Sequence, residues 1–259
     1  MKKLILSLTL AGAAALAAKA STVSSANTFG VLKIESGTEQ TIIGVPWVAV
    51  SADNSAVNAT NLVMASNLAD NDMLYYYDSE HGNYKAWVVN NKVWESTTSA
   101  QQQGGKTVVE NSPSINAPRG SALILVRQTA EKSNPIYLYG QYLEATTPLA
   151  PTLQTSANSW NLIAPANTTA TPYDLNTDMT WDKVDPTDRI RVALAAGRMI
   201  TLKYIENTGW VVWSSSTKQY VKDYSKIQPG QGAWFIKGDN SKATTVTINP
   251  TPAANSSNS

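Results

Sequence analysis

The sequence contains no cysteine, one histidine and only two phenylalanines. Without thiols the chain has no disulfide, zinc ribbon, iron–sulfur site or cysteine nucleophile. The single histidine leaves one possible base for a Ser–His–Asp triad, and the sequence has no Gly-x-Ser-x-Gly elbow to supply its nucleophile. His81 belongs to the polar segment 78–83, so we interpret it as a solvated turn residue.

Charge is also scarce. Charged residues make up 15% of the chain and hydrophobic residues 42%, which excludes an intrinsically disordered protein. The formal net charge is +1, and removal of residues 1–20 with their three lysines makes it −2. Such a chain offers no basic surface, so we expect no nucleic-acid partner.

The first residues have the pattern of a signal peptide. Lys2 and Lys3 precede an apolar stretch, residues 4–17, and the small-x-small sequence at residues 18–20 predicts cleavage before Ser21. The stretch is shorter than the roughly 20 residues of a membrane span, so we expect no transmembrane anchor in the mature chain. The protein is therefore predicted to be exported, to the periplasm, the outer surface or the extracellular space.

After this leader, apolar residues recur with the period of two that is typical of β-strands. The first set of predicted strands covers residues 28–35, 41–50, 73–77, 84–89, 121–128 and 136–142. The second set covers residues 160–163, 189–194, 199–205, 210–214, 233–237 and 244–248. A short helix is predicted near residues 60–66, with Thr60 as its cap and Leu62 and Val63 facing inward, and a helical turn near residues 182–187.

The two sets resemble each other. The segment 43–47 is similar to 162–165, 83–89 to 208–213, and 114–124 to 225–236. We therefore predict an internal duplication and an all-β fold of two tandem, similar β-sandwich or small-barrel-like domains. The predicted boundaries are a signal peptide at 1–20, a first β domain at 21–146, a linker at 147–157, a second β domain at 158–248 and a disordered tail at 249–259.

The second set also resembles a known repeat. Its opening, Trp160-Asn161-Leu162-Ile163 with Pro165, and its closing segment, residues 229–235 (PGQGAWF), are similar to the W-N-L-I…P-x-G-x-G-x-W repeat of exported tandem β proteins of Gram-negative bacteria. The first set departs from this pattern, with Leu123 in the place of Phe235. The resemblance implies export and a β fold, and it carries no activity.

Two further patterns are explained by structural roles that need no ligand. Gly230-Gln231-Gly232 lacks the helix and the third small residue of a dinucleotide-binding loop, so it predicts a tight turn into a strand. Scattered carboxylates could form a glycosidase pair or a Ca²⁺ site, but no calcium-loop pattern is present. These acids are Asp72, Asp78, Glu80, Asp182, Asp185 and Asp188. Asp72 and Asp188 hold matched places before a strand, which favours a shared turn role, and we expect no metal and no cofactor.

Aromatic residues are the most informative feature, with 8 Trp and 11 Tyr. Tyr84 and Trp87 are three residues apart, as are Trp210 and Trp213, so the members of each pair point to opposite faces of a strand. One member of each pair is thus expected beneath a loop, at a domain interface or in solvent. Trp94 adds a further aromatic residue to this set. These five residues form the predicted ligand-binding set, and packing in the core is the alternative.

We expect a non-catalytic, exported cell-envelope or cell-surface protein that acts by binding or assembly. Glycans or other envelope proteins are the expected partners. Carbohydrate binding through exposed Trp and Tyr rings is the main alternative, and a secreted glycoside hydrolase with an acid pair is the third.

Overall fold

A computed structural model describes residues 28–34, 40–45, 57–78, 83–96, 116–127, 135–142, 147–165, 172–194, 198–239 and 242–250. The predicted signal peptide, His81, Glu80 and most of the predicted tail lie outside these residues. Within the described part of the chain, no helix is long and apolar enough to cross a membrane.

Strands dominate the regular secondary structure of the described residues, which confirms the predicted all-β class. The strands of the first half are β1 (Thr28–Ile34), β2 (Gln40–Gly44), β3 (Val57–Asn58), β4 (Met73–Asp78), β5 (Asn83–Asn90), β6 (Val93–Ser96), β7 (Asn116–Ala117), β8 (Ala122–Val126) and β9 (Ile136–Tyr142). Helix α1 (Ala59–Leu62) and a 3₁₀ turn (Ala65–Asn67) lie between β3 and β4.

The second half is built only from strands and turns in its described residues. Its strands are β10 (Trp160–Ile163), β11 (Tyr173–Asp174), β12 (Met179–Asp182), β13 (Arg189–Ala193), β14 (Met199–Ile205), β15 (Gly209–Ser214), β16 (Gln219–Val221), β17 (Lys226–Ile227), β18 (Ala233–Ile236) and β19 (Thr245–Ile248). The helical turn predicted near residues 182–187 does not form: Asp182 ends β12, and residues 183–187 contain a bend and a β-type turn.

Each half contains one large antiparallel sheet. The first sheet has the order β2-β8-β4-β5-β6 and the second β10-β18-β13-β14-β15-β16. The remaining strands form two-stranded pairs, β1–β9, β3–β7, β11–β17 and β12–β19. Their apolar residues share a core with the large sheet of the same half, so each half is sandwich-like.

The two large sheets share more than their strand order. Leu74 of β4 lies between Leu125 and Trp87, as Ile190 of β13 lies between Phe235 and Leu202. The same registers place Trp94 opposite Val89 and Trp210 opposite Tyr204. Trp94 therefore matches Trp210, which corrects the predicted match of 83–89 with 208–213. The duplication itself stays a prediction.

The halves meet at a junction formed by β2, β8, β10 and β18 with the turns that precede β8 and β18. Gly44 N–H donates to Gly230 O at 2.9 Å, and Ala164 N–H donates to Gly120 O at 2.9 Å. Gly120 and Gly230 both have positive φ, at 82° and 73°, as tight turns into β8 and β18 require. This confirms the predicted role of the Gly230 turn.

A third apolar cluster fills the junction. Its buried members are Ile42, Ala122, Ile124, Ala164 and Trp234, drawn from both halves. All of β8 except Val126 is buried, because one face meets the first core and the other meets this cluster. The two sheets thus join through side chains as well as backbone.

Three local expectations have clear outcomes. Leu62 and Val63 are buried as predicted, but Thr60 lies inside α1 instead of capping it. The predicted linker is packed, since Leu153 belongs to the second core and Leu149 pairs with Ile248 of β19. Apolar residues spaced four apart in a proline-containing segment can dock on a neighbouring core without forming a long strand.

Candidate binding face

Two of the five predicted binding residues are buried. Trp87 is 2% exposed in the first core and Trp210 is fully buried in the second, where its ring makes edge contacts with Trp181, Tyr204 and Phe235. A ring enclosed in this way cannot stack on an external sugar. The prediction of binding rings is therefore wrong for Trp87 and Trp210, because a core with few Phe residues takes its bulk from Trp.

Two others are partly buried. The Trp94 indole N–H donates to Val63 O at 2.6 Å and the ring packs against the first core. Tyr84 packs against the junction cluster and meets Tyr77 edge-on, with ring centroids 4.9 Å apart. Burial, and then the neighbouring Tyr77, raise the pKa of the Tyr84 hydroxyl. Both residues act mainly in packing.

Trp213 is the exposed member of the set, with 51% of its surface accessible. It lies three residues from buried Trp210 on β15, so the predicted division of such a pair between two faces is confirmed. Its register partner on β16 is Tyr220, 43% exposed, and the two ring centroids are 5.1 Å apart. Two large aromatic rings thus lie side by side at one end of the second sheet.

A lysine completes this group. Lys203 Nζ lies 3.9 Å from the Tyr220 ring centroid and donates a 2.5 Å hydrogen bond to the Tyr220 hydroxyl. Lys203 pairs with Val211, two residues before Trp213, so all three side chains leave the same face of the sheet. The cation–π contact holds the ammonium beside the rings.

A second aromatic and cationic group lies on the same face. Trp160 of β10 is 40% exposed, contacts Trp234 edge-on and has the Arg191 guanidinium 5.7 Å from its ring centroid. Arg191 pairs with exposed Thr201 of β14. Thr201 therefore lies between this group and the group of Lys203, Trp213 and Tyr220. We call the surface formed by Trp160, Arg191, Lys203, Trp213 and Tyr220 the aromatic–cation face.

The sequence could have indicated more of this face. On β13, Arg189 and Arg191 alternate with buried Ile190 and Val192, which already assigns both cations to the side away from the core. The local sequence around Tyr220 and Lys203 has no comparable alternation that would predict which face they occupy. Their proximity to Trp213 depends on the registers of β14, β15 and β16.

Three of the predicted acid candidates, Asp72, Asp185 and Asp188, are committed to structural bonds. Asp72 is buried with Arg127, with Oδ2 at 3.3 Å from Nε, and also accepts the Ala69 N–H. Asp188 is buried with Lys237 at 2.7 Å and accepts the Asp185 N–H. The predicted shared turn role of Asp72 and Asp188 is thus confirmed.

Asp185 is a turn residue as well. The Thr187 hydroxyl donates to its carboxylate at 2.6 Å and the Thr187 N–H at 2.9 Å, and these bonds hold the pKa of Asp185 below its usual range. Asp182 is exposed beside Lys183 at 4.0 Å. Among the described residues no group of His, Cys, Asp and Glu is arranged to hold a metal ion.

A cleft of about 320 Å³ opens beside the junction. Its lining includes Tyr77, Arg119, Pro151 and Asn161, and Arg119 is the charged residue among those described there. Among the described residues, the lining of the cleft therefore presents no pair of carboxylates to a substrate. Its two sides come from different halves, with Leu149 and Pro151 of the predicted linker on one side.

Comparisons of the chain with protein-family models, curated proteins and solved structures find no match. Functional inference thus depends on the residues and geometry above.

Proposed function

We propose that this chain is an exported, non-catalytic binding protein of the cell envelope or cell surface, and that its ligand is a carbohydrate. The observation that carries the proposal is the exposed pair Trp213 and Tyr220 on an open sheet surface, with ring centroids 5.1 Å apart. Aromatic rings supply large, rigid contact area for the apolar faces of sugar rings.

The contacts of three acid candidates support binding over hydrolysis. Asp72 and Asp188 are buried in ion pairs, and Asp185 is held by Thr187. A glycosidase needs two carboxyl groups about 5–10 Å apart on either side of a glycosidic bond. The signal-peptide pattern of residues 1–20 and the resemblance to exported tandem β proteins support the proposed export.

The test is a pull-down of the purified mature chain on cellulose, chitin, xylan, peptidoglycan and immobilised polygalacturonate. We expect retention on at least one of them. The double variant Trp213→Ala, Tyr220→Ala is expected to bind at least about tenfold more weakly, which corresponds to about 1.4 kcal/mol of lost contact.

Tyr224→Ala is the matched control, because Tyr224 is 37% exposed but lies in the turn after β16, outside the sheet. It should bind like the unmodified chain, and all variants should share its melting temperature. Retention by none of the five polymers, or equal retention of the double variant, contradicts the proposal.

A further inference from the structure

The aromatic–cation face carries positive charge that no acid of the described chain neutralises. Arg191 and Lys203 form no ion pair among the described residues, and Arg189 donates only to the backbone oxygens of Pro186 and Asp188. The nearby carboxylates of Asp185 and Asp188 are buried and already bonded. The face is therefore locally cationic, although the mature chain is predicted to have a net charge of −2.

The two cations and the two rings lie on four successive strands of the sheet. Arg191 lies on β13, Lys203 on β14, Trp213 on β15 and Tyr220 on β16. Neighbouring strands are about 4.8 Å apart, so these four positions extend over about 14 Å. An elongated ligand with several sugar rings could contact all four positions from Arg191 to Tyr220, whereas a monosaccharide is too short to do so.

We propose that the aromatic–cation face selects an acidic polysaccharide, with sugar rings against Trp213 and Tyr220 and sugar carboxylates paired with Arg191 and Lys203. This inference rests on the proposed carbohydrate binding and adds the charge of the ligand. Arginine suits the planar carboxylate because its guanidinium donates two parallel hydrogen bonds. Charge complementarity therefore identifies the occupant of this face as a polyanion.

Single-stranded nucleic acid combines rings and negative charge too. The net charge of −2 predicted for the mature chain opposes a dense polyphosphate, and export separates the protein from cytoplasmic nucleic acid. A polyuronate has one carboxylate for each sugar and leaves the apolar side of each ring open for stacking. The observations therefore favour the acidic polysaccharide.

The experiment measures affinity by tryptophan fluorescence titration with soluble polygalacturonate, alginate and hyaluronate, each beside its fully methyl-esterified derivative. Esterification removes the charge and leaves the sugar backbone unchanged. We expect at least one acid form to bind, with its ester at least about fivefold weaker. Arg191→Gln and Lys203→Gln should each weaken binding of the acid form about two- to fivefold, the size typical of exposed ion pairs.

Both variants should weaken acid binding by a larger factor than ester binding, and increasing salt should reduce the acid–ester difference because exposed charges are screened. Lys226→Gln is the matched control, since Lys226 is exposed on β17, outside the sheet. It should not alter acid binding.

The outcomes separate this inference from the proposed function. Equal affinity for acid and ester overturns the acidic selectivity and leaves carbohydrate binding standing. Failure to bind any acid polymer, together with retention on a neutral polymer in the pull-down, also overturns the selectivity alone. Failure in both experiments overturns both proposals. Equal binding of oligo(dT), weakened by the same two variants, identifies nucleic acid as the ligand and overturns the inference.

Discussion

Asp188 is a buried carboxylate of the second half that accepts several hydrogen bonds. It accepts hydrogen bonds from Lys237 Nζ at 2.7 Å, the Gly238 N–H at 2.8 Å and the Thr244 hydroxyl at 2.8 Å, besides the Asp185 N–H. Four donors from three segments meet at one side chain. A buried pair gains little over a well-packed apolar pair, but removal of one partner leaves an unpaired buried charge.

Asp188→Ala should therefore lower the free energy of unfolding by about 3–5 kcal/mol, because Lys237 would lose its counter-ion. Urea unfolding followed by tryptophan fluorescence measures this. Asp182→Ala is the control: Asp182 and Lys183 form an exposed pair, so the change should stay within about 0.5 kcal/mol. A loss below about 1 kcal/mol for Asp188→Ala is evidence against this role.

Protonation of Asp185 is expected to lower the stability of the fold in acid. Its lowered pKa means that the folded state favours the carboxylate, so its stabilising contribution is complete above the unfolded pKa of about 3.9. That contribution is lost as the pH falls through the folded pKa. The cause, in the first place, is the hydrogen bond from the Thr187 hydroxyl.

Thr187→Val removes this donor with little change of shape. We expect the variant to be less stable than the unmodified chain at pH 7, and the difference to disappear on acidification below about pH 4. Urea unfolding at several pH values between about 2 and 7 measures it, with exposed Thr245→Val as control. A stability difference that does not depend on pH would falsify the assignment to Asp185.

Residue spacing predicted the division of Trp210 and Trp213 between two faces, because alternation is a local property of a strand. It did not predict which member of the pair is buried. That depends on whether Tyr204 and Phe235 surround one face, and both come from other strands. The same dependence on other strands explains why the binding role predicted for Trp87 is wrong, since its register partner, Leu74, lies on a different strand.

At the scale of the element, the long strands were predictable and the shortest were not. Strands such as β9 and β14 have seven residues each, enough for a period of two to appear. By contrast, β3, β7, β11 and β17 have two residues each, and such segments carry no periodicity. Their strand character comes from partners far away in the chain.

Pairing order was also beyond local sequence patterns. The predicted match of 83–89 with 208–213 used the shared Trp-Val-Val spelling, whereas the registers match β5 with β14 and β6 with β15. Aromatic residues at similar places in a sequence can thus occupy different strands of similar sheets. The binding face could be predicted only in part for the same reason.

At the scale of the whole molecule, the junction makes each half depend on the other. Backbone hydrogen bonds cross it in both directions, from Gly44 to Gly230 and from Ala164 to Gly120. The space at Gly44 is limited, because a Cβ there would lie 2.7 Å from Gln231 O and 3.0 Å from the Ala164 Cβ. The close approach of the two backbones therefore needs glycine.

Gly44→Ala should lower the free energy of unfolding by about 1–3 kcal/mol, the usual effect of overpacking where backbone must move. Urea unfolding should follow one transition in the unmodified chain, coincident by fluorescence and circular dichroism, since both halves share the junction cluster. Ser215→Ala in an exposed turn is the control. Unchanged stability in Gly44→Ala would show that the backbones do not meet there.

The shared cluster also bears on how the chain is made. The first sheet is complete once β8 has been synthesised, yet Ile42 and Ile124 are covered by Trp234, which follows only near the end of the chain. A nascent chain that folds its first half early would expose this apolar surface to other nascent chains. For the export proposed above, passage across a membrane in an unfolded form, with both halves released together, would avoid that hazard.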